Sequence, residues 1–222
     1  MFSTPIRAIA FDLDGTLVDS LTDIAAAANA ARAELGLAPL ADSRVRSFIG
    51  DGSAMLMART AQDNPHAQVD DSPLQIAARA HFNQHYARVV AEHTRPYPGA
   101  VEGLQALAAL GLPLACVTNK PIAFTTPLLA ALDLERYFEL VLGGDSLAAK
   151  KPDPLPLAHV AQALAVAPAQ LLMVGDSKND VLAARAHGSP VLAVSYGYTA
   201  SASALGADAV IDRIDQIVAL LG

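Results

Sequence analysis

The sequence has little cysteine, no excess of basic residues and no long hydrophobic run. The single cysteine, Cys116, leaves no partner for an intrachain disulfide, which favours a reducing, cytoplasmic setting. The net charge of −7 argues against nucleic acid or an anionic membrane surface as a partner. No stretch approaches the roughly 18 apolar residues of a membrane span. Residues 1–12 also lack the basic start and apolar stretch of a signal peptide.

Short apolar runs recur along the chain and are typical of buried parallel strands. They fall at residues 6–11, 112–117, 171–174 and 191–194, with weaker runs at 140–142 and 209–211. Helical patterns separate them, with start signals such as Ser72-Pro73 and Pro98-Gly99. Strands that alternate with helices predict an α/β fold with a parallel sheet.

A long stretch without a strand pattern separates the first apolar run from the second. Residues 18–93 are rich in alanine and predicted to be helical, with Ser20 and Asp23 as a capping box before the first helix. We therefore predict a sheet domain of residues 1–17 and 94–222, with a helical insertion of residues 18–93. The joints are expected near residues 18–20 and 94–98.

Two carboxylates, Asp12 and Asp14, directly follow the first predicted strand. Residues i and i+2 of an extended chain point the same way, so both project from the carboxyl end of the strand. Open α/β sheets bind their ligands at that end. Two unpaired buried carboxylates would be costly, so a cation or a shared proton is expected beside them.

Later strand ends carry further polar groups. Thr118 and Asn119 follow the second strong run, and Lys151 stands before a proline that restricts its backbone. Asp176 follows Gly175 at the end of another run, and Asp180 lies four residues further on, within reach of the same side of a helix. These carboxylates together with Asp12 predict a hard oxygen site suited to Mg²⁺, completed by water and a substrate phosphate.

This ordered set resembles the haloacid dehalogenase-like phosphatase superfamily. The resemblance rests on Phe-Asp-Leu-Asp-Gly-Thr at 11–16, Val-Thr-Asn-Lys-Pro at 117–121, Lys-Lys-Pro-Asp-Pro at 150–154 and Gly-Asp-Ser-Lys-Asn-Asp at 175–180. It covers essentially the whole chain. It implies a Rossmann-like core of parallel strands flanked by helices, with residues 18–93 as a small helical cap domain.

The resemblance also implies a role for each motif residue. Asp12 would attack phosphorus and form an aspartyl-phosphate, and Asp14 would carry the proton to the leaving group and from the hydrolytic water. Mg²⁺ would be held by Asp12, the backbone carbonyl of Asp14 and Asp176. Residues that would bind the phosphoryl oxygens are Thr118, Asn119 and Lys151. Asp180 would orient the metal's water shell or pair with Lys151.

Within the superfamily the chain is most similar to the bacterial phosphoglycolate phosphatases, which implies 2-phosphoglycolate, a small phosphorylated metabolite, as substrate. The segment at 46–52 resembles that branch's specificity loop, in which Gly50 would allow close approach to the core. A glycolate carboxylate would need a cation, and the candidates are Arg44, Arg46 and Lys120.

Three alternatives stay open at the level of sequence. The substrate could be another small sugar phosphate or pyrophosphate. A phosphomutase similar to β-phosphoglucomutase would share all four motifs but return the phosphoryl group to a sugar. A non-catalytic binding protein of the same fold would show an altered Asp12, Asp14, Lys151 or Asp176, and all four are intact.

Overall fold

The computed structural model describes residues 2–221 and divides the chain into two compact units. The first comprises the residues up to Asp19 together with those from Pro96 onward, and the second is Ser20–Arg95. The chain therefore leaves the first unit shortly after its first strand and returns to it before the second of its long strands.

The strands of the first unit form one parallel sheet. They are β1 (Ala8–Phe11), β4 (Leu114–Val117), β5 (Leu140–Leu142), β6 (Leu171–Gly175), β7 (Val191–Val194) and β8 (Ala209–Ile211). Two short strands, β2 (Val18–Asp19) and β3 (Arg95–Pro96), fall where the chain passes between the units. The order of the six is β5-β4-β1-β6-β7-β8, with every neighbouring pair parallel.

The predicted apolar runs coincide with these six strands. Every residue of β1, β4, β6 and β7 is buried, as expected for a parallel sheet that is covered on both faces. The predicted α/β class with a Rossmann-like parallel sheet is confirmed. β1 and β4 begin two residues later than the predicted runs. Ile6 and Arg7 precede β1, and Leu112 and Pro113 precede β4.

Nine α-helices and four 3₁₀ turns complete the described part of the chain. The helices are α1 (Leu21–Glu34), α2 (Asp42–Arg46), α3 (Ser53–Gln62), α4 (Pro73–Val89), α5 (Ala100–Ala109), α6 (Ile122–Ala131), α7 (Leu155–Ala163), α8 (Lys178–His187) and α9 (Ile217–Leu221). The 3₁₀ turns are Glu135–Tyr137, Pro168–Gln170, Ala202–Leu205 and Ile214–Gln216. Within residues 2–221, no helix has both the length and the apolar character needed to cross a bilayer.

The strand order places β1 at the point where the sheet changes its direction of growth. From β1 the chain adds β4 and β5 on one side, and later β6, β7 and β8 on the other. Such a switch point leaves a crevice at the carboxyl ends of the central strands, where open α/β folds bind ligands. The segments that follow β1, β4 and β6 are therefore brought together.

The second unit is helical, and α1 packs against α4. Alanines on α1, including Ala27, Ala28 and Ala31, are fully or almost fully buried and permit close approach of the two helices. Ser72 caps α4 as predicted, accepting a hydrogen bond from the amide of Gln75.

The capping box predicted for α1 is wrong. The Ser20 side chain makes no cap hydrogen bond to α1. The Asp23 carboxylate instead accepts hydrogen bonds from the backbone amides of His93 and Thr94 and from the Thr94 hydroxyl, at 2.6–3.0 Å. His93 and Thr94, which are distant in sequence, offer Asp23 more donors than Ser20 does. Asp23 therefore joins the first helix of this unit to its last residues.

Candidate active site

The carboxylate of Asp12 lies at the carboxyl end of β1 and uses its two oxygens differently. The Asp12 amide donates to the carbonyl of Val174 on β6, which continues the ladder beyond the strand. Asp12 Oδ1 accepts from the amide of Leu13 at 2.8 Å and lies 3.0 Å from Lys151 Nζ. Oδ2 accepts no hydrogen bond from residues 2–221. One oxygen is thus anchored and the other is open.

Lys151 reaches this carboxylate from the loop after β5. Its ammonium donates to Asp180 Oδ1 at 2.6 Å as well as contacting Asp12, and the residue is only 2% exposed. The Lys151–Pro152 peptide is cis, and the Lys151 carbonyl accepts from Asn119 Nδ2 at 2.8 Å. The predicted phosphate-binding residue Asn119 therefore supports the backbone of Lys151.

Asp180 is fully buried in the first turn of α8, and hydrogen bonds occupy both of its oxygens. Oδ1 accepts from Lys151, and Oδ2 accepts from the amide and hydroxyl of Ser177 at 3.0 and 2.7 Å. A side chain at Gly175 would collide with the Asp180 carboxylate, so this glycine permits the close turn from β6 into α8. Of the two sequence-based options, the structure contains the pairing of Asp180 with Lys151.

Asp176 is held between two glycines at the carboxyl end of β6. A Cβ at Gly15 would lie 2.4 Å from Asp176 Oδ2, and one at Gly197 would lie 2.2 Å from Asp176 Cβ. Gly15 also has a φ of +81°. Asp176 Oδ2 accepts from the amide of Tyr198 at 2.6 Å, whereas Oδ1 accepts nothing from the described residues.

Sequence reasoning gave no role in the site to Gly197 and Tyr198. They follow β7, and Tyr198 contributes through its backbone amide, a group that every residue except proline carries. The available signal was the glycine three residues after the end of an apolar strand, in the stretch Ser-Tyr-Gly-Tyr at 195–198.

Asp14 has a separate cationic partner. Lys120 Nζ donates to both carboxylate oxygens, at 3.0 and 2.8 Å. The side chains of Asp14 and Lys120 are 12% and 4% exposed. The two aspartates that follow β1 are therefore bound by two different lysines.

Thr118 lies at the end of β4, beside β1, and is 4% exposed. Its hydroxyl oxygen accepts from the amide of Lys120 at 3.2 Å. No described residue takes the proton of this hydroxyl, so Thr118 keeps a donor for an external acceptor.

The charge of the cluster suits a divalent cation. Four carboxylates, those of Asp12, Asp14, Asp176 and Asp180, are balanced by the ammonium groups of two lysines, which leaves two negative charges. Asp12, Asp176 and Asp180 each offer an oxygen within 4.8 Å of the others. Hard oxygen donors at this spacing fit a hard divalent metal ion. The open oxygens belong to Asp12 and Asp176, since those of Asp180 are occupied.

Burial perturbs the ionisation of these groups. It raises the pKa of Asp12 to about 6, against the opposing charge of Lys151. Burial, followed by the charges of Asp12 and Asp180, raises the pKa of Asp176 well above its usual range. Burial alone would lower the pKa of Lys151, but the carboxylates of Asp12 and Asp180 hold it above its ordinary value. A bound cation would favour the ionised form of both aspartates.

The remaining predicted residues belong to the helical unit. Arg46 is exposed at the end of α2, and Gly50 follows with a φ of +122°. Arg44 pairs with Asp63 at 2.6 Å and lies over the ring of Phe48. It is therefore already engaged inside its own unit.

Comparison with known proteins gives consistent matches. A family model of haloacid dehalogenase-like hydrolases matches residues 6–188. A phosphoglycolate phosphatase of Chromobacterium violaceum is 50% identical over 216 residues, covering 97% of this chain and 96% of that protein. One from Nitrosospira multiformis is 44% identical over 222 residues, with 99% and 97% covered. The crystal structure of a predicted phosphoglycolate phosphatase from Haemophilus somnus 129PT has a TM-score of 0.92 at 32% identity, covering 99% of this chain and 100% of that one.

Proposed function

Because the chain belongs to the haloacid dehalogenase-like hydrolases, we propose that it cleaves 2-phosphoglycolate to glycolate and phosphate through an aspartyl-phosphate on Asp12. The substrate follows from the printed names of relatives that match nearly the whole chain. The chemistry follows from the residues at the ends of β1, β4 and β6.

The arrangement of Asp12 is the observation that carries this proposal. Its Oδ1 is fixed by Leu13 and Lys151, while Oδ2 is free of protein hydrogen bonds among residues 2–221. A nucleophile needs one oxygen that is held in place and one that can form a bond. Asp180, by contrast, has no oxygen left for a bond to phosphorus, because Lys151 and Ser177 occupy both of its oxygens.

The reaction proceeds in two balanced halves. In the first, Asp12 Oδ2 forms a bond to phosphorus, the bond from phosphorus to the ester oxygen breaks, and that oxygen takes a proton from the Asp14 carboxylic acid. In the second, Asp14 accepts a proton from water as the water oxygen attacks phosphorus. The bond from phosphorus to Asp12 then breaks, which restores both aspartates.

Two side chains hold the phosphoryl group in both halves. Lys151 supplies a buried positive charge whose position is set by Asp180 and by the hydrogen bond from Asn119. Thr118 donates its available hydroxyl proton to a phosphoryl oxygen. Fixed donors and charges of this kind stabilise the equatorial oxygens of a transferring phosphoryl group without reorganisation.

The metal that we propose is Mg²⁺, bound by Asp12, the backbone carbonyl of Asp14 and Asp176. Asp176 contributes its open oxygen Oδ1, Asp12 Oδ2 stays available for the bond to phosphorus, and Asp180 keeps its role in positioning Lys151. When bound, the ion offsets charge on the phosphoryl oxygens. Glycine at positions 15 and 197 lets the neighbouring backbone approach close enough to fix Asp176.

Choice of the leaving group is assigned to the helical unit. Arg46 offers an exposed cation, and Gly50 has a backbone conformation that side chains rarely adopt. We include both as residues that contribute to recognition of the glycolate end. Arg44, in the same unit, pairs with Asp63.

Phosphate release across a panel of esters tests the function. The panel contains 2-phosphoglycolate, pyrophosphate, glucose 6-phosphate and β-glucose 1-phosphate, each with Mg²⁺ and with EDTA. We expect kcat/KM to be highest for 2-phosphoglycolate and activity to disappear in EDTA. Asp12→Asn should lower kcat by at least about 1,000-fold, while Asp71→Asn, at an almost fully exposed position, should leave it unchanged.

Different results would contradict the substrate, the reaction type, the metal and the nucleophile. Higher kcat/KM for another ester would change the substrate and keep the chemistry. Conversion of β-glucose 1-phosphate that needs a bisphosphate activator and releases no phosphate would identify a phosphomutase. Full activity after thorough chelation would remove the metal, and near-normal turnover by Asp12→Asn would remove the nucleophile.

A further inference from the structure

Lys120 was expected from sequence to recognise the substrate, yet its ammonium is bound to Asp14. Both Asp14 oxygens accept from it, at 3.0 and 2.8 Å, in a pair that is nearly closed to solvent. A buried ammonium is costly to detach from its partner, because desolvated charges need compensation. Lys120 is therefore committed to a protein carboxylate, the proton carrier of the proposed reaction.

The backbone fixes the position from which Lys120 reaches Asp14. Its amide donates to Thr118 Oγ1 at 3.2 Å, and its carbonyl accepts from the amide of Gly144 at 2.8 Å. The Thr125 hydroxyl also donates to this carbonyl, at 3.3 Å. A side chain at Gly144 would lie 2.3 Å from the Asn119 carbonyl, so the loop after β5 packs directly against this backbone. The Lys120 backbone is therefore fixed by hydrogen bonds at both its amide and its carbonyl.

Asp14 and Asp12 are held by different contacts. Asp12 is fixed by the amide of Leu13 and by Lys151. Asp14 precedes Gly15, whose φ is +81°. In the proposed reaction, the Asp14 carboxylate must lie at one defined position to meet the leaving oxygen. A symmetric contact to both carboxylate oxygens restricts rotation of this side chain.

We propose that Lys120 is the positioning residue for Asp14, holding its carboxylate where the leaving oxygen departs. This inference rests on the proposed function, because it takes Asp14 as the proton carrier. Lys120 acts on the reaction only through Asp14 and does not contact the substrate carboxylate. The two buried lysines thus have separate roles. Lys151 contacts Asp12 and binds the phosphoryl group, whereas Lys120 positions Asp14 for proton transfer.

Three esters with different leaving groups test this role in Lys120→Met. Glycolate and ethanol are poor leaving groups that need a proton, and only glycolate carries a carboxylate, whereas p-nitrophenolate leaves without protonation. We expect kcat/KM to fall about 100-fold for 2-phosphoglycolate and for ethyl phosphate, but less than about 3-fold for p-nitrophenyl phosphate. The ratio kcat/KM reports the steps through departure of the leaving group, so slow hydrolysis of the aspartyl-phosphate does not obscure it.

Companion variants separate positioning from a general effect on the fold. Lys120→Arg retains a cation and should recover much of the activity on both alkyl esters. Arg7→Met, at an exposed cation that precedes β1 and so lies at the end of that strand opposite Asp12, should change none of the three rates. In an Asp14→Asn background, Lys120→Met should cause no further loss on the alkyl esters, since residues that act through one group are not additive.

The outcomes that contradict the inference are distinct from one another. A loss confined to 2-phosphoglycolate would make Lys120 a ligand of the substrate carboxylate. An equal loss on all three esters would make it a structural or general charge residue. Absence of phosphate release from all three esters by the unaltered protein would instead overturn the proposed function.

Discussion

At the scale of single residues, Asp12 and Asp14 are only two positions apart but have different surroundings. Asp12 shares Lys151 with Asp180, and Asp14 is bound by Lys120. The difference arises because each lysine comes from a different loop, one after β5 and one after β4. Separate partners are what the proposed roles require, with Asp12 as the nucleophile and Asp14 as the proton carrier.

Much of this residue pattern could be predicted from the sequence. Asp12, Thr118 and Asp176 follow apolar runs, and the topology of a parallel sheet brings strand ends together. The pairing of Lys120 with Asp14 could not be predicted, since it depends on the direction that a long side chain takes in a folded loop. The hydrogen bond from the Tyr198 amide to Asp176 could not be predicted either, because almost every residue carries a backbone donor.

The close contact of Gly197 with Asp176 gives a prediction at this scale. A Cβ in Gly197→Ala would lie 2.2 Å from Asp176 Cβ, so the carboxylate or the loop must move. Overpacking of this kind costs about 1–3 kcal/mol. We expect the Mg²⁺ concentration for half-maximal activity to rise at least about 10-fold, the usual effect of disturbing the support of a metal ligand. An unchanged Mg²⁺ requirement would show that Asp176 does not bind the metal.

At the scale of elements, the sheet strands were predictable because burial on both faces produces apolar runs with little alternation. Helix starts were less so. Ser72 caps α4 from within its own sequence, whereas Asp23 on α1 binds residues 93 and 94 instead of completing a capping box. A local signal is reliable only where no distant donor competes for the same carboxylate.

The Asp23 contacts predict a large effect on the stability of the helical unit. Asp23→Ala leaves the buried donors of Thr94 without an acceptor, and hydrogen bonds to charged groups contribute about 1.5–3 kcal/mol. We expect the free energy of unfolding, measured in urea, to fall by about 3 kcal/mol, with Asp71→Ala as a matched control that leaves it unchanged. A loss no larger than that of the control would contradict this role.

The effect of Asp23 should also depend on pH. Burial acts to raise the pKa of Asp23, but the hydrogen bonds from Thr94 and His93 more than offset it and hold the pKa below 3.8. Its contribution is therefore complete above the unfolded value and is lost as the pH falls through the folded value. The difference between the parent protein and Asp23→Ala should accordingly shrink in acid.

At the scale of the whole molecule, the active-site charge links metal binding to stability. Asp12 has a pKa of about 6, above the 3.8 of an unfolded chain. Its contribution to the stability of the metal-free protein is thus complete below pH 3.8 and is lost as the pH rises through about 6. Asp176 shifts in the same direction. Ionised and uncompensated, these groups oppose folding near neutral pH.

Mg²⁺ should therefore stabilise the protein more at pH 7.5 than at pH 5.0. At 100 times its dissociation constant, an ion that binds only the folded state adds about 2.7 kcal/mol, which for this length raises Tm by about 5–10 °C. At pH 5.0 protons on Asp12 and Asp176 compete, and we expect less than about half that shift by differential scanning calorimetry. KCl of matched ionic strength and the variant Asp176→Asn serve as controls. Equal shifts at both pH values would exclude this coupling.

The central place of β1 in the sheet has a consequence for synthesis on the ribosome. β1, which leads to Asp12, is translated before the helical unit, whereas its sheet neighbours β4 and β6 are translated only after that unit. The helical unit is compact and consists of residues that are all translated while β1 still lacks partners, and domains generally fold as units during synthesis. β1 stays unpaired during this time, and the proposed Mg²⁺ site cannot form until Asp176 has been synthesised. While the helical unit and the later strands are synthesised, Asp12 therefore lacks the neighbours that its proposed role as nucleophile requires.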